Sequence, residues 1–71
     1  MQREYIKTFD GIILGSVETD ANGNKTVRDW PGQRILGYYQ KSFNRTVDFY
    51  GKILSQGDTA ISLIYQARAN K

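Results

Sequence analysis

The feature that most constrains this chain is a short stretch of sequence that occurs twice. Residues 24–36 read NKTVRDWPGQRIL, and residues 44–54 read NRTVDFYGKIL, which is the same order of residue types with two positions removed. A weaker third copy, IKTFDGIIL, lies upstream at residues 6–14. Repetition of a short unit is typical of folds in which copies of one supersecondary element pack side by side. The repeat therefore indicates an architecture before it indicates a chemistry.

Each copy has the pattern of a β-hairpin. Residue types that favour strands flank a turn, and the turn glycines Gly11, Gly32 and Gly51 recur at intervals of about 20 residues. Asp10 followed by Gly11 predicts a type I′ turn, and Pro31 followed by Gly32 predicts a type II turn with positive φ at the glycine. We therefore predict a mainly β fold, an antiparallel meander of six short strands. The predicted strands cover residues 5–9, 12–18, 25–30, 34–41, 45–49 and 52–56.

The pattern changes near the C-terminus, where helical periodicity replaces alternation. Asp58 or Thr59 can cap a helix N-terminus, and Arg68 places positive charge where a helix C-terminus favours it. We predict an α-helix over about residues 58–69, with a seventh strand over residues 61–65 as the alternative. The face expected to pack on the sheet consists of four residues at helical spacing: Ala60, Ile61, Ile64 and Tyr65.

The whole chain, residues 1–71, is predicted to form a single domain. Seventy-one residues lie near the lower limit for a core that sustains itself. The chain contains no cysteine and no histidine, so it has no disulfide to stabilise the fold and lacks the usual ligands of transition metals. We therefore predict no metal or other cofactor, and we expect the chain to gain buried area by associating with copies of itself.

Apolar residues fall on both faces of the predicted sheet. Strict alternation fails at four apolar pairs, at residues 13–14, 35–36, 38–39 and 53–54. A single short helix cannot cover both faces, so the sheet either closes on itself or is covered by a second subunit. An open meander also leaves edges that invite pairing between chains. We predict a homodimer or higher homo-oligomer, with exchange of hairpins between subunits as one route and residues 30–32 as the candidate hinge.

The charge of the chain is mildly positive. Ten basic and seven acidic residues are interspersed, which is a weak electrostatic footprint for a dedicated nucleic-acid-binding protein. No apolar run approaches the roughly 20 residues needed to span a bilayer. The first residues lack the apolar core of a secretion signal. We therefore predict a cytoplasmic protein with no membrane partner, or one whose signal peptide has already been removed.

The sequence lacks the pattern of an active site, and we predict that the chain is not an enzyme. Its serines have no histidine to activate them, and its glycines lack the following helix that a phosphate-binding loop needs. Asp29 and Asp48 occupy equivalent repeat positions and would suit acid–base chemistry if they faced one another. The alternative is that they pair with basic residues on neighbouring strands: Arg28, Arg34, Arg45 or Lys52.

Residues 28–45 interleave basic and aromatic side chains, a composition found in small β domains that bind single-stranded nucleic acid. The residues concerned are Arg28, Trp30, Arg34, Tyr38, Tyr39, Lys41, Phe43 and Arg45. Several aromatics of the chain recur at repeat positions, which packing between hairpins would also produce. From the set we take a candidate interaction surface of five residues: Trp30, Arg34, Tyr38, Tyr39 and Phe43. A third option is a ligand pocket lined by Tyr38, Tyr39 and Tyr65.

The unit T-V-x-D/F-aromatic-x-G-x-I-L-G is similar to the hairpin unit of YD (Rhs-type) repeats. It also resembles short bacterial proteins with a G-x-I-L-G-Y-Y hairpin pattern, some of them called β-flower proteins. The resemblance covers about residues 6–56. This chain departs from the pattern where Trp30 and Pro31 replace the usual Tyr-Asp, and where Ser55 replaces a glycine. Because YD repeats in large toxins form a passive wall, the resemblance implies a scaffold role and a bacterial origin, and adds no active site.

The predicted function is therefore a non-enzymatic, self-associating β interaction or scaffold module. The alternative is a small nucleic-acid-binding β domain with basic and aromatic residues on its surface. The distribution of these residues distinguishes the two. A continuous basic face with exposed aromatics favours nucleic-acid binding, whereas aromatics buried in a two-fold interface favour self-association.

Overall fold

Strand-forming residues and glycine turns divide the chain into six strands followed by a helix. A computed structural model of the chain describes residues 2–69. The elements are β1 (Gln2–Lys7), β2 (Ile13–Thr19), β3 (Lys25–Asp29), β4 (Ile35–Gln40), β5 (Arg45–Asp48), β6 (Ile53–Gln56) and α1 (Ala60–Ala69), with a 3-10 turn at Lys41–Phe43. Each strand pairs antiparallel with the next in one sheet of order β1-β2-β3-β4-β5-β6. The predicted meander and C-terminal helix are confirmed, and the alternative of a seventh strand is wrong.

Three of the turns share one geometry. They lie at residues 8–12, 20–24 and 48–52. In each, the N–H of the first residue donates to the carbonyl of the last at 2.9 Å, and the fourth residue is a glycine with φ of 87° or 88°. The side-chain oxygen of the first residue also accepts the N–H of the last, at 3.2, 3.0 and 2.8 Å respectively. This is the pattern of a type I turn closed by a glycine bulge.

The predicted type I′ turn at Asp10 and Gly11 is therefore wrong. A type I′ turn has two loop residues, whereas here the Thr8 hydroxyl accepts the N–H of Ile12 and stabilises a longer loop. As a consequence β1 ends at Lys7 and the predicted extension to residue 9 does not form.

The turn between β3 and β4 differs from the other three, and the predicted type II turn is wrong. It is one residue longer, with the Asp29 N–H donating to the Arg34 carbonyl at 2.8 Å. The Trp30-Pro31 peptide bond is cis, and the positive φ falls at Gln33 and not at Gly32.

The difference follows from the proline. In the equivalent turn after β5, the Asp48 carboxylate accepts the N–H of Tyr50 at 2.9 Å. Pro31 occupies the corresponding position after Asp29, and a proline has no N–H to donate. This bond is therefore lost, and a proline also disfavours the αR conformation that a type I turn needs at the residue before it, here Trp30, so a different loop forms.

Helix α1 lies on one face of the sheet, against β2, β3 and β4. It sits above Gly15 and Gly37, where an added Cβ would lie 2.9 Å from Ile64 Cδ1 and 2.7 Å from Leu63 Cδ1 respectively. The missing side chains allow the helix to reach the backbone of the sheet. The core formed between them comprises Ile6, Leu14, Val17, Val27, Tyr39, Ala60, Leu63 and Ile64, with Leu36 packed against it.

The copy at residues 44–54 is followed by Ser55, where the other two copies are followed by glycine. The chain enters the helix shortly after this serine. Ser55 Oγ lies 2.5 Å from Thr59 Oγ1. On β5 the paired residue, Thr46, is fully buried; its hydroxyl donates to the Gly57 carbonyl at 2.8 Å and accepts the Thr59 N–H at 3.1 Å. Thr46 therefore joins the sheet to the start of α1.

The buried face of α1 is rotated relative to the predicted one. Ala60 and Ile64 are buried as predicted, but the third buried residue is Leu63. Ile61 and Tyr65 remain 45% and 52% exposed. The predicted and the observed buried faces both have helical spacing. The observed face is the one that packs on the sheet because Leu63 fits into the space above Gly37.

We expect Gly15→Ala and Gly37→Ala each to lower the free energy of unfolding, because the new Cβ would overlap a helix side chain and a neighbouring carbonyl. Overpacking of this kind costs about 1–3 kcal/mol, which urea unfolding would measure. Gly32→Ala is the matched control, since nothing lies within 4 Å of that site. Equal losses at all three glycines would contradict this account of helix packing.

We expect Thr46→Val to destabilise the protein by about 1–3 kcal/mol, because it keeps the shape but removes both hydrogen bonds of the buried hydroxyl, to the Gly57 carbonyl and from the Thr59 N–H. The far-ultraviolet circular dichroism signal of α1 should weaken at a lower temperature than in the wild type. Thr26→Val, on β3, is the matched control and should change stability by less than about 0.5 kcal/mol. A Thr46→Val protein as stable as this control would show that the hydroxyl does not hold the helix.

Candidate interaction surfaces

The two faces of the sheet differ in chemistry. Side chains alternate between faces along a strand, and Gly15 and Gly37 lie on the face that α1 covers. We call the opposite face the distal face. Its strand residues are Arg3, Tyr5 and Lys7 on β1, Ile13, Ser16 and Glu18 on β2, Thr26 and Arg28 on β3, Ile35, Tyr38 and Gln40 on β4, Arg45 and Val47 on β5, and Ile53 and Gln56 on β6.

One carboxylate joins two arginines on the distal face. Glu18 is only 8% exposed, and it accepts hydrogen bonds from Arg28 on β3 and from Arg3 on β1, the latter at 3.0 Å. These bonds, first from Arg28 and then from Arg3, hold the pKa of the Glu18 carboxyl below its ordinary value, although burial opposes the shift. Glu18 therefore stays ionised and fixes both guanidinium groups across three strands.

Aromatic side chains lie on the same face. The rings of Tyr5 and Trp30 meet edge to face with their centroids 5.7 Å apart. Since Tyr5 belongs to the distal face, this contact places the Trp30 ring there as well. Tyr5 is 41% exposed, and Trp30 and Tyr38 are half-buried. The distal face thus presents three aromatic rings that remain partly accessible.

A stacked pair lies at the 3-10 turn, at the end of the sheet opposite Trp30. The Phe43 ring is exposed, and the Arg45 guanidinium carbon lies 4.4 Å from its centroid, a cation–π contact. Arg45 Nε also donates to Gln40 Oε1 at 2.7 Å. Both contacts hold the Arg45 side chain along the surface of the sheet.

The five residues that the sequence grouped as one surface do not all lie together. Trp30 and Tyr38 belong to the distal face, and Phe43 lies beside it. Arg34 is exposed in the turn between β3 and β4. Tyr39 faces the other way and forms part of the core under α1. The structure therefore places Trp30 and Tyr38 on one face, sets Phe43 at the end of the sheet opposite Trp30, and removes Tyr39 from any surface.

The predicted ligand pocket of three tyrosines does not form. Tyr38 and Tyr39 are adjacent in β4 and point to opposite faces. The Tyr39 hydroxyl donates to Asn44 Oδ1 at 2.8 Å, and Tyr65 lies on the exposed side of α1. No single cavity can include side chains on both sides of a sheet.

Asp29 and Asp48 do not form a carboxylate pair. The strand register sets Asp29 opposite Gly15 and Asp48 opposite Gly37, which are different cross-strand rows. Asp48 accepts N–H groups of its own turn. Asp29 pairs with Arg34 at 3.9 Å, and among residues 2–69 its buried Oδ1 has no hydrogen-bond partner. Proline replaces the residue whose N–H would otherwise reach this oxygen.

A second surface, absent from the candidate residues chosen by sequence, lies near the β6 edge. We call it the apolar corner, and it consists of four exposed residues: Phe49, Tyr50, Ile53 and Leu54. Phe49 and Tyr50 meet edge to face at 5.3 Å, and with Arg34, Ile35 and Leu36 they line a depression of about 360 Å³. The sequence contained a signal for this surface, because Ile53 and Leu54 belong to the last predicted strand and have no later strand beside them.

The two edges of the sheet differ in charge. β1 carries exposed charged residues, namely Arg3, Glu4 and Lys7, and charges on an edge strand oppose pairing with another chain. β6 reads ILSQ and has no charged residue. β1 and β6 do not pair with each other, so the sheet is open. The edge suited to further pairing is β6.

Within residues 2–69, no group of three or more histidine, cysteine, aspartate or glutamate side chains is placed to hold a metal ion. Nor does the described chain contain a helix long and apolar enough to cross a membrane. A scan against protein-family models and searches of curated proteins and of solved structures each found no match. The surfaces of the chain itself are therefore the only features that indicate what it does.

We expect Glu18→Gln to lower stability at neutral pH and to flatten its acid dependence. The folded pKa lies below the ordinary value of 4.5, so the stabilisation by ionised Glu18 is complete above that pH and is lost as the pH falls through the folded pKa. Urea unfolding at several pH values down to about pH 3 would measure the two slopes. Glu4→Gln, on the exposed part of β1, is the control and should keep the wild-type slope. Identical slopes for all three proteins would contradict the role given to Glu18.

Proposed function

We propose that this chain is a non-enzymatic β module that associates with copies of itself through the β6 edge and acts as a scaffold or interaction unit. The observation that carries the proposal is that β6 is an open, uncharged edge strand. Two of its residues, Ile53 and Leu54, belong to the exposed apolar corner. Edge strands of this composition readily pair with other strands. A small chain without disulfides also gains stability when it buries such a surface in an assembly.

Pairing of two β6 strands about a two-fold axis is the favoured geometry. A two-fold contact uses the same surface on both copies, and antiparallel pairing of β6 with β6 meets this requirement. It would extend the sheet to twelve strands and bring the two apolar corners to the interface. Pairing of β6 with β1 would instead be head-to-tail and open-ended, and the charges on β1 oppose it.

Exchange of hairpins at residues 30–32 is the other route to a dimer. It would replace the pairing of β3 with β4 inside one chain by the same pairing between chains. The two routes differ in kinetics. An edge contact should dissociate quickly on dilution, whereas an exchanged hairpin has to break its strand pairing first.

The scaffold role has two further supports. The resemblance to YD-type hairpin repeats favours a structural over a catalytic role and a bacterial origin. The absence of cysteine from the sequence suits a cytoplasmic protein. A chain of this kind would act by presenting and joining surfaces.

We expect light scattering after size-exclusion chromatography to show a mass that rises with concentration towards twice the 8.1 kDa of the chain. Leu54→Lys should shift the protein to the monomer, because lysine on an edge strand opposes pairing. Ile12→Lys is the matched control. It places the same charge on another exposed apolar residue, in the turn after β1, and should leave the dimer intact.

Two results would contradict self-association through β6. One is a monomer at every concentration, including about 1 mM, where even weak contacts with a Kd in this range are populated. The other is equal loss of the dimer in Leu54→Lys and Ile12→Lys, which would indicate a general effect of added charge.

A further inference from the structure

We propose that the distal face binds single-stranded nucleic acid, with the phosphates on its arginines and the bases on its aromatic rings. The proposal uses none of the four residues of the apolar corner and does not depend on self-association. It rests on three observations: an unequal division of charge between the two faces, arginines held in place by Glu18, and aromatic rings that lie among them.

Charge is divided unequally between the two faces of the strands. The distal face carries four basic residues and one acidic residue, namely Arg3, Lys7, Arg28 and Arg45 against Glu18. The strand residues on the helix-covered face have the opposite balance, with Glu4, Asp29 and Asp48 against Lys25. The net charge of the whole chain is only +3, yet one side of the sheet is a basic surface. Such a surface attracts a polyanion.

The central arginines are held in position and keep donors to spare. Arg28 uses Nε for Glu18 and one terminal nitrogen for the Gln33 carbonyl, while Arg3 uses one terminal nitrogen for Glu18. A guanidinium has five N–H donors, so both groups retain several. Their side chains are 31% and 42% exposed. Arginines fixed in this way suit bidentate contact with phosphate, since less side-chain freedom is lost on binding.

The aromatic rings favour a nucleic acid over a simple anion. Tyr5, Trp30 and Tyr38 stand on β1, at the end of β3 and on β4, and each is partly accessible. Proteins that bind single strands on a sheet stack successive bases on rings of this kind. In a duplex the bases are already stacked inside the helix, so the rings would have no partner. A single strand is therefore the occupant that uses both the charges and the rings.

The natural reporter for this binding is Trp30, the only tryptophan of the chain. We expect unlabelled oligo-dT and oligo-U of about 12 nucleotides to quench its fluorescence in about 20 mM salt, with an affinity that falls steeply as salt is added. Inorganic polyphosphate, which has charge and no bases, should bind more weakly and leave the emission unquenched. A hairpin duplex of the same charge should also bind more weakly.

Matched variants connect the binding to the distal face. Lys7→Gln and Arg45→Gln should each weaken binding and reduce the salt slope by about 0.7 for each lost phosphate contact, whereas Lys52→Gln, in the turn after β5, should change neither. Tyr5→Leu keeps an apolar side chain and should weaken binding by roughly tenfold. Phe9→Leu, at a fully exposed site in the turn after β1, is its control. Circular dichroism establishes that each variant is folded.

Three outcomes would overturn the proposal. The first is no change in Trp30 emission or in the anisotropy of a labelled oligonucleotide at low salt. The second is binding of polyphosphate or duplex as tightly as of single strands, which would reduce the face to a general anion surface. The third is equal weakening by Lys7→Gln and Lys52→Gln, which would show that only the net charge matters.

Discussion

The close approach of α1 to β2 and β4 is the contact on which the rest of the structure depends. An antiparallel sheet on its own has no core, and a second layer is needed to enclose one. Gly15 and Gly37 offer bare backbone at two points under the helix, and Leu63 and Ile64 fill them. The helix has ten residues, hence a length of about 15 Å, whereas six strands at about 4.8 Å spacing span more than 20 Å. The helix therefore covers β2 to β4 and leaves the β6 side without a cover.

The order of elements could be predicted because it depends on local chemistry. Glycine turns and β-forming residues set the six strands, and the change of periodicity near residue 58 set the helix. The turn types could not be predicted from pairs of adjacent residues. Each loop is closed by a side-chain oxygen, of Thr8, Asp20 or Asp48, that accepts the N–H of the residue four positions later. The buried face of α1 depended on a contact between distant parts of the chain, the fit of Leu63 above Gly37.

The candidate site was predicted less well, for a reason visible in β4. Tyr38 and Tyr39 were grouped as neighbours in sequence, yet neighbours in a strand point to opposite faces. Alternation alone separates Tyr38 from Tyr39, whereas the helix contact at Gly37 decides that Tyr39 is the buried one. The pairing of Glu18 with Arg3 and Arg28 could not be predicted, because it requires the register of three strands. The two proposed activities use different residues and are compatible in one assembly.

The shared turn geometry has a consequence for how such a chain can change in length. Each of the three similar turns is closed by bonds among five consecutive residues, so a hairpin brings its own closure with it. A duplicated hairpin could thus join the sheet without new turn chemistry. The place of insertion is restricted, however, because α1 follows β6 and has to return to the glycines of β2 and β4. A hairpin inserted before β2 would leave the distance from β6 to these glycines unchanged. A hairpin inserted after β4 would move the start of the helix two strands further from them. The glycine contacts therefore limit growth of the repeat to the N-terminal side.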